Sequence, residues 1–324
     1  SLKRSLIKKV YNNPDVIKKV FDNIRKTGLK KTKTMINRKV GQIYDIGYSC
    51  AGVVEEVAKD ISNIKVGDFV ACGGGGYASH AEKVLVPENL VVKVKNKKNL
   101  LQSSSVALGA IALQGIRRAK PSLGENFLIV GLGLIGQITI QILRNSGINV
   151  YAIEPNKIFA NKAKKNDFNN IYHSFDDLKK NINNQPNEVH LFDGVIITAA
   201  SEKSEILSSS FQWCRKKGRV VLVGDVGMNI KREDIYKKEI DFLISSSYGP
   251  GRYDDNYEIN GQDYPIAYVR WTLNRNMQTY IDMIDKELIN FDFLVDEVKN
   301  LTSAHEGYNS LLKKDRPISL FFKY

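Results

Sequence analysis

Three glycines and one acidic residue, in a fixed order, are the groups best placed to do chemistry in this 324-residue chain. An apolar run over residues 126–130 leads into Gly131, Gly133 and Gly136, which form a G-x-G-x-x-G pattern. The first glycine permits a tight turn, the second lets backbone N–H groups approach a pyrophosphate, and the third lets helix and strand pack closely. The spacing therefore predicts a dinucleotide-binding turn.

Glu154 indicates which dinucleotide is bound. It ends a second apolar run and follows the last glycine at close to the ~20-residue spacing of the carboxylate that holds the ribose hydroxyls. A carboxylate there repels a 2′-phosphate, so NAD(H) is favoured. Lys157 is near enough in sequence to reach such a phosphate, which leaves NADP(H) open.

Strands and helices alternate in the segment that must position these residues. The strands are predicted at 127–130, 150–153, 194–198, 220–223 and 242–245. This alternation is typical of an α/β fold with a doubly wound parallel sheet. Because ligands bind at the carboxyl ends of such strands, the turns after Thr198 and Val223 should line the nicotinamide end. The complete predicted cofactor set is Gly131, Gly133, Leu134, Ile135, Gly136, Glu154, Ala199, Ala200, Gly224, Asp225 and Val226.

The amino-terminal third has a different character. Residues 3–39 are basic and predict amphipathic helices with solvated lysine faces. Short strands with glycine turns then predict a small β-barrel, with strands around 53–57, 69–72 and 83–86. Long helices are expected over 103–118 and around 267–287, and a final strand over 318–322 should return to the barrel. We therefore expect amino-terminal helices and a partial barrel in 1–110, completed by 292–324, and a dinucleotide-binding domain in 111–291.

Composition narrows the function classes. The net charge of +13 comes with few aromatic stacking platforms in the basic stretch, which argues against a nucleic-acid surface and leaves an anionic or phosphorylated substrate open. No apolar run approaches the ~20 residues of a membrane span. Cys50, Cys72 and Cys214 form no C-x-x-C pair, which fits a reducing cytoplasm and offers no framework for disulfides or a structural zinc lobe.

The order of these parts resembles the medium-chain dehydrogenase/reductase superfamily. The matching landmarks are residues 47–54, 66–70, 76–82 and 131–136. Residues 247–254 and 263–272 are similar to a narrower group, the dehydrogenase halves of bacterial bi-domain oxidoreductases. The resemblance implies a Rossmann domain with a GroES-like barrel, here shorter than the family's and so expected to be truncated. It also implies a homodimer and a second oxidoreductase domain, fused or missing, at the carboxyl end.

Two family features differ in this chain. Where zinc-dependent relatives have a zinc-binding histidine followed by a glutamate, this sequence has Tyr48 and Ser49. Cys72, His80 and Glu82 are the remaining ligand candidates, but strand alternation places only His80 and Glu82 on one face. We therefore expect no zinc, and the oxygen of the substrate must then be polarised by hydrogen-bond donors or cations.

Tyr48, His80 and Arg270 are the catalytic candidates. Tyr48 stands where the metal ligand is lost, His80 can relay protons, and Arg270 lies in a Tyr- and Gly-rich insertion on the substrate side. Each also has a structural interpretation. Tyr48 is then a tyrosine packed in the barrel, His80 is a structural histidine, and Arg270 belongs to a loop that seals a dimer edge.

These observations predict a cytoplasmic, NAD(H)-dependent and zinc-independent oxidoreductase that interconverts an alcohol and a ketone. The resemblance suggests a sugar or nucleotide-sugar substrate in surface-polysaccharide synthesis. An NADPH-dependent quinone or enoyl reductase, and a catalytically silent dinucleotide-binding scaffold, remain alternatives.

Overall fold

The computed structural model describes residues 46–182, 191–313 and 315–324. The amino-terminal helices predicted over 3–39 lie outside these residues. In the described part, thirteen strands and ten α-helices follow one another. The strands are β1 (Ser49–Val53), β2 (Phe69–Gly73), β3 (Val91–Lys93), β4 (Asn126–Val130), β5 (Asn149–Ile153), β6 (Ile171–Tyr172), β7 (Phe192–Ile197), β8 (Ala200–Ser201), β9 (Cys214–Leu222), β10 (Asp225–Val226), β11 (Asp241–Ile244), β12 (Glu297–Asn300) and β13 (Leu320–Lys323).

The helices cover the sheets and connect them. They are α1 (Leu100–Ser103), α2 (Val106–Ala119), α3 (Leu134–Asn145), α4 (Lys157–Lys164), α5 (Phe175–Ile182), α6 (Glu205–Trp213), α7 (Arg232–Tyr236), α8 (Asp255–Glu258), α9 (Leu273–Asp285) and α10 (Ala304–Ser310). Short 3-10 turns cover Glu88–Leu90, Lys97–Asn99, Asp292–Leu294 and Leu301–Ser303.

Six parallel strands form the main sheet in the order β11-β9-β7-β4-β5-β6. Successive side chains of β4 point to opposite faces, so Phe127 and Ile129 join one apolar cluster while Leu128 and Val130 join another. Helices α2, α3 and α9 contribute to the first cluster, and α5 and α6 to the second. Helices on both faces of a parallel sheet make a doubly wound fold, which confirms the predicted fold class.

A second, antiparallel sheet joins β1, β2 and β3, and it is consistent with part of the predicted GroES-like barrel. Its buried residues Ala71 and Val92 belong to the same cluster as Tyr280 of α9 and Phe127 of β4. This shared core fixes the small sheet against the helices that flank the dinucleotide-binding domain.

Several predicted elements differ in the structure. Residues 83–86 were expected to form a strand, but no described strand pairs with them and Leu85 is 93% exposed. The strand expected around 53–57 ends at Val53. The final strand forms as β13, but it pairs in parallel with β12 and not with the three-stranded sheet.

The helix expected around 267–287 begins only at Leu273, because the Thr272 side chain caps it by accepting the N–H of Arg275. No helix in the described ranges is long and apolar enough to cross a bilayer.

Candidate functional site

The turn between β4 and α3 requires glycine at both ends, because a side chain at either position would collide with nearby backbone atoms. Gly131 has φ +100°, and a Cβ there would lie 2.8 Å from the backbone nitrogen of Ala199. A Cβ on Gly136 would lie 2.1 Å from the carbonyl oxygen of Gly131. Both distances are far inside van der Waals contact, so the turn can be this tight only without side chains.

Gly133, between them, faces open space. Its φ is −62° and a Cβ added there would meet no atom within 4 Å. It caps α3, whose first backbone bond runs from the N–H of Gln137 to the carbonyl of Gly133. The N–H groups of the first helical turn therefore have no acceptor within the helix, and with the helix dipole they favour an anion. The turn thus presents an anion cradle beside a residue that leaves room for the ligand.

Glu154 holds this turn in place, a role that the sequence did not reveal. Its carboxylate accepts the N–H of Leu132 at 2.6 Å and the N–H of Asn156 at 2.7 Å, and the residue is only 6% exposed. Gln137 fixes the other side of Leu132 by donating to its carbonyl at 3.1 Å. An ionised carboxylate has about four acceptor positions, so Glu154 keeps capacity for a ribose hydroxyl.

The two turns predicted to line the nicotinamide end come together. Strands β8 and β10 pair in parallel, with Ala200 opposite Asp225, and the N–H of Asp225 donates to the carbonyl of Ala199 at 3.1 Å. Thr198 links them to the glycine turn, because its hydroxyl donates to the carbonyl of Gly131 at 2.7 Å. Thr198 was not among the predicted site residues.

A second group of polar residues gathers around Tyr48. The residue is 44% exposed, and partial burial raises the pKa of its phenol. Tyr248 is buried, which raises its pKa, and the nearby Tyr48 phenol acts in the same direction. Arg252 lies with its guanidinium carbon 5.6 Å from the Tyr248 ring centre and forms an ion pair with Glu258. The insertion that follows β11 therefore reaches the segment that precedes β1.

The structure places the other two catalytic candidates in different surroundings. The Nδ1 of His80 lies 2.8 Å from the Tyr308 hydroxyl, and its ring packs edge-on against Phe322. Arg270 stacks on Trp271 at 3.8 Å, with Arg117 3.2 Å from the same ring centre. His80 stays close to Tyr48, since its N–H donates to the carbonyl of Ile46, whereas Arg270 belongs to a separate Arg–Trp–Arg stack.

The chain is similar in sequence to known dehydrogenases and oxidoreductases. Residues 135–259 match a family described as zinc-binding dehydrogenase. The chain is 29% identical to the (R,R)-butanediol dehydrogenase of Bacillus subtilis over 136 residues, which cover 34% of this chain and 38% of that protein. It is 27% identical to a mouse quinone oxidoreductase over 247 residues, 70% of this chain and 72% of that one. These matches support an alcohol dehydrogenase-like member of the medium-chain dehydrogenase/reductase superfamily.

The folds agree over a longer span than the sequences do. A structure described as a short chain alcohol dehydrogenase from Escherichia coli, complexed with the cofactor NADH, superimposes with a TM-score of 0.68 at 17% identity. The superposition covers 90% of this chain and 87% of that one. At this identity the likeness concerns the fold alone. The predicted resemblance to an alcohol dehydrogenase-like member of the superfamily is confirmed.

The donors around the position of the family's zinc ligands have other partners or stand apart in this chain. The Ser49 hydroxyl donates to the carbonyl of Ser104 at 2.7 Å and accepts the N–H of Ala107 at 3.1 Å, so it fastens β1 to the helices. Residues 80–86 form no strand, so the expected alternation of His80 and Glu82 is wrong. Across the described residues no three His, Cys, Asp or Glu side chains converge. A catalytic zinc needs three such ligands, and the described residues by themselves do not supply them.

Proposed function

We propose that this chain is the cofactor-binding module of a nicotinamide-dependent oxidoreductase. The observation that carries the proposal is the open space at Gly133, set between two glycines packed against backbone. Crowding at Gly131 and Gly136 is explained by the fold. The open side of Gly133 lies at the start of α3, where the first N–H groups have no acceptor within the helix, and this combination matches the approach of a pyrophosphate. The dehydrogenase and oxidoreductase names of the superfamily relatives support this proposal.

NAD(H) is the favoured cofactor. Glu154 places a carboxylate at the end of β5, where it can accept hydrogen bonds from ribose hydroxyls and repel a 2′-phosphate. Asn156 caps α4 by accepting the N–H of Ile158. The neighbouring Lys157 is the cation nearest in sequence to Glu154, and it is the residue that a 2′-phosphate of NADP(H) would pair with. Parallel titrations with NADH and NADPH test this preference directly.

A bound nicotinamide would supply the hydride donor or acceptor, and the protein must position and polarise the substrate oxygen. Tyr48 is our candidate for that task, because its phenol, whose pKa is raised by burial, is protonated at neutral pH and can donate a hydrogen bond. Tyr248 and Arg252 line the same region and can orient a polar substrate. His80 would act on Tyr48 only indirectly, since its Nδ1 is engaged by Tyr308.

The reaction we favour is the interconversion of an alcohol and a ketone, with a sugar or nucleotide-sugar as the proposed substrate. Reduction of a quinone or enoyl compound is the second candidate, favoured by the match to the mouse quinone oxidoreductase over 70% of this chain. A homodimer, a cytoplasmic location, independence from zinc and a further oxidoreductase domain stay predictions.

Turnover assays separate these candidates from a silent scaffold. The full chain is incubated with NAD⁺ and a panel of sugar alcohols, and separately with NADPH and quinones. We expect reduction of NAD⁺ in the first set, with loss of rate in Tyr48→Phe at unchanged NADH affinity. Tight NADH binding with no turnover on either panel would favour the scaffold.

A further inference from the structure

Cys50 and Cys72 face each other across the β1–β2 pair. The strands are antiparallel and the two cysteines are direct partners in the register. The N–H of Gly74 donates to the carbonyl of Tyr48 at 2.9 Å, and this bonded pair lies two residues from the cysteines on each strand. Cys50 and Cys72 therefore also form a hydrogen-bonded pair, with Cα atoms about 5.5 Å apart and side chains on the same face. That separation lies within the usual range for a disulfide.

The two thiols differ in access and in ionisation. Cys72 is 5% exposed and packs with Val70 and Ala78, whereas Cys50 is half-buried. The hydrogen bond between the thiols lowers the pKa of Cys50, and the same contact with burial raises the pKa of Cys72. Cys50 is thus the thiol that a reagent reaches and that forms a thiolate more readily.

We propose that Cys50 and Cys72 form a redox-modification site that closes reversibly into a cross-strand disulfide. The oxidant is a low-molecular-weight disulfide of the glutathione type. The Cys50 thiolate attacks one sulfur of oxidised glutathione, which forms a mixed disulfide and releases one glutathione thiolate. Cys72, after losing its proton, then attacks the Cys50 sulfur and releases the second glutathione. Two protein thiols are oxidised and one glutathione disulfide is reduced to two thiols.

The position of the pair determines what the bond would do. Directly opposed Cβ atoms lie up to about 5.5 Å apart in a hydrogen-bonded pair, while a disulfide holds them near 3.8 Å. Closure must therefore draw β1 and β2 together beside Tyr48 and the Gly73–Gly76 turn. A bond formed against the native spacing is readily reduced, which suits a reversible modification. Its formation does not depend on the proposed function.

The test uses the full-length chain with millimolar oxidised glutathione. We expect the titre of free thiols in denaturant to fall from three to one, and the protein mass to fall by two hydrogen atoms. A digest should yield one peptide pair linked through Cys50 and Cys72, and dithiothreitol should restore all thiols. Cys214→Ser is the matched control, because Cys214 is buried in the other sheet and its pKa is raised to about 12; it should form the same linked peptide.

Two further variants identify the order of attack. Cys72→Ser should stop at a stable glutathione adduct on Cys50, and Cys50→Ser should remain unmodified. A wild-type protein that keeps three free thiols while folded, or that stops at the Cys50 adduct, would overturn the proposal. Should either serine variant fail to fold, the peptide map of the wild type and of Cys214→Ser still decides.

Discussion

Replacing Gly133 with alanine should separate cofactor binding from folding. The residue has φ −62°, a conformation that alanine adopts freely, and its new Cβ would meet no protein atom within 4 Å. The methyl group instead projects into the space assigned to the pyrophosphate. The free energy of unfolding should therefore stay constant or rise by about 0.4–1 kcal/mol, because alanine restricts the unfolded chain.

The expected loss of affinity follows from the hydrogen bonds displaced. A pyrophosphate pushed away from the first turn of α3 loses at least one charge-assisted bond, which is worth about 1.5–3 kcal/mol. At ~1.4 kcal/mol per tenfold change, the dissociation constant for NADH should rise about 10- to 100-fold.

Isothermal titration with NADH and thermal unfolding of the same samples measure both quantities. Gly136→Ala is the matched control, because its Cβ would lie 2.1 Å from the Gly131 carbonyl oxygen. That variant should lose about 1–3 kcal/mol of stability through overpacking. If Gly133→Ala binds NADH as tightly as the wild type, the pyrophosphate does not pass over this residue and the assignment of the cradle is refuted.

Three further predictions concern single side chains. Glu154→Gln should shift preference from NADH towards NADPH and lower the melting temperature, since it removes charge-assisted bonds to Leu132 and Asn156; unchanged preference in paired titrations would contradict this. Tyr48→Phe should reduce turnover about 100-fold or more while leaving NADH affinity intact, and a variant with full kcat would exclude Tyr48 as the proton donor. Burial lowers the pKa of His80, so the unfolded chain takes up its proton first and stability should fall as pH drops below ~6.5. His80→Gln should show a smaller decline in melting temperature between pH 8 and pH 5, and equal slopes would refute the assignment.

The sequence predicted the parallel sheet because each long strand is a short apolar run next to a turn signal. It missed β6, which has only two residues, and the β8–β10 pair, whose strands form only because two sheet turns meet. The strand predicted over 83–86 was wrong for a related reason, because a short apolar run makes a strand only where a neighbouring strand supplies hydrogen bonds.

The two halves of the candidate site differ in how far sequence could predict them. The glycine turn is local, so its spacing predicted the turn, although Thr198 and Ala199, which contact Gly131, follow another strand. The approach of Tyr248 to Tyr48 joins segments about 200 residues apart, and no local pattern encodes it. Likewise, the hydrogen bond that the Glu154 carboxylate accepts from the N–H of Leu132 depends on how β4 and β5 lie side by side. The presence of an acidic residue at position 154 was itself predictable from the sequence.

The central claim is that the turn from Gly131 to Gly136 binds the diphosphate of a nicotinamide dinucleotide. The most direct measurement is calorimetric titration of the full chain with NADH, repeated in the presence of excess NAD⁺. We predict saturable binding at one site per chain, weakened by NAD⁺ in proportion to its concentration. No heat with either NADH or NADPH, from a chain shown to be folded, would contradict the claim.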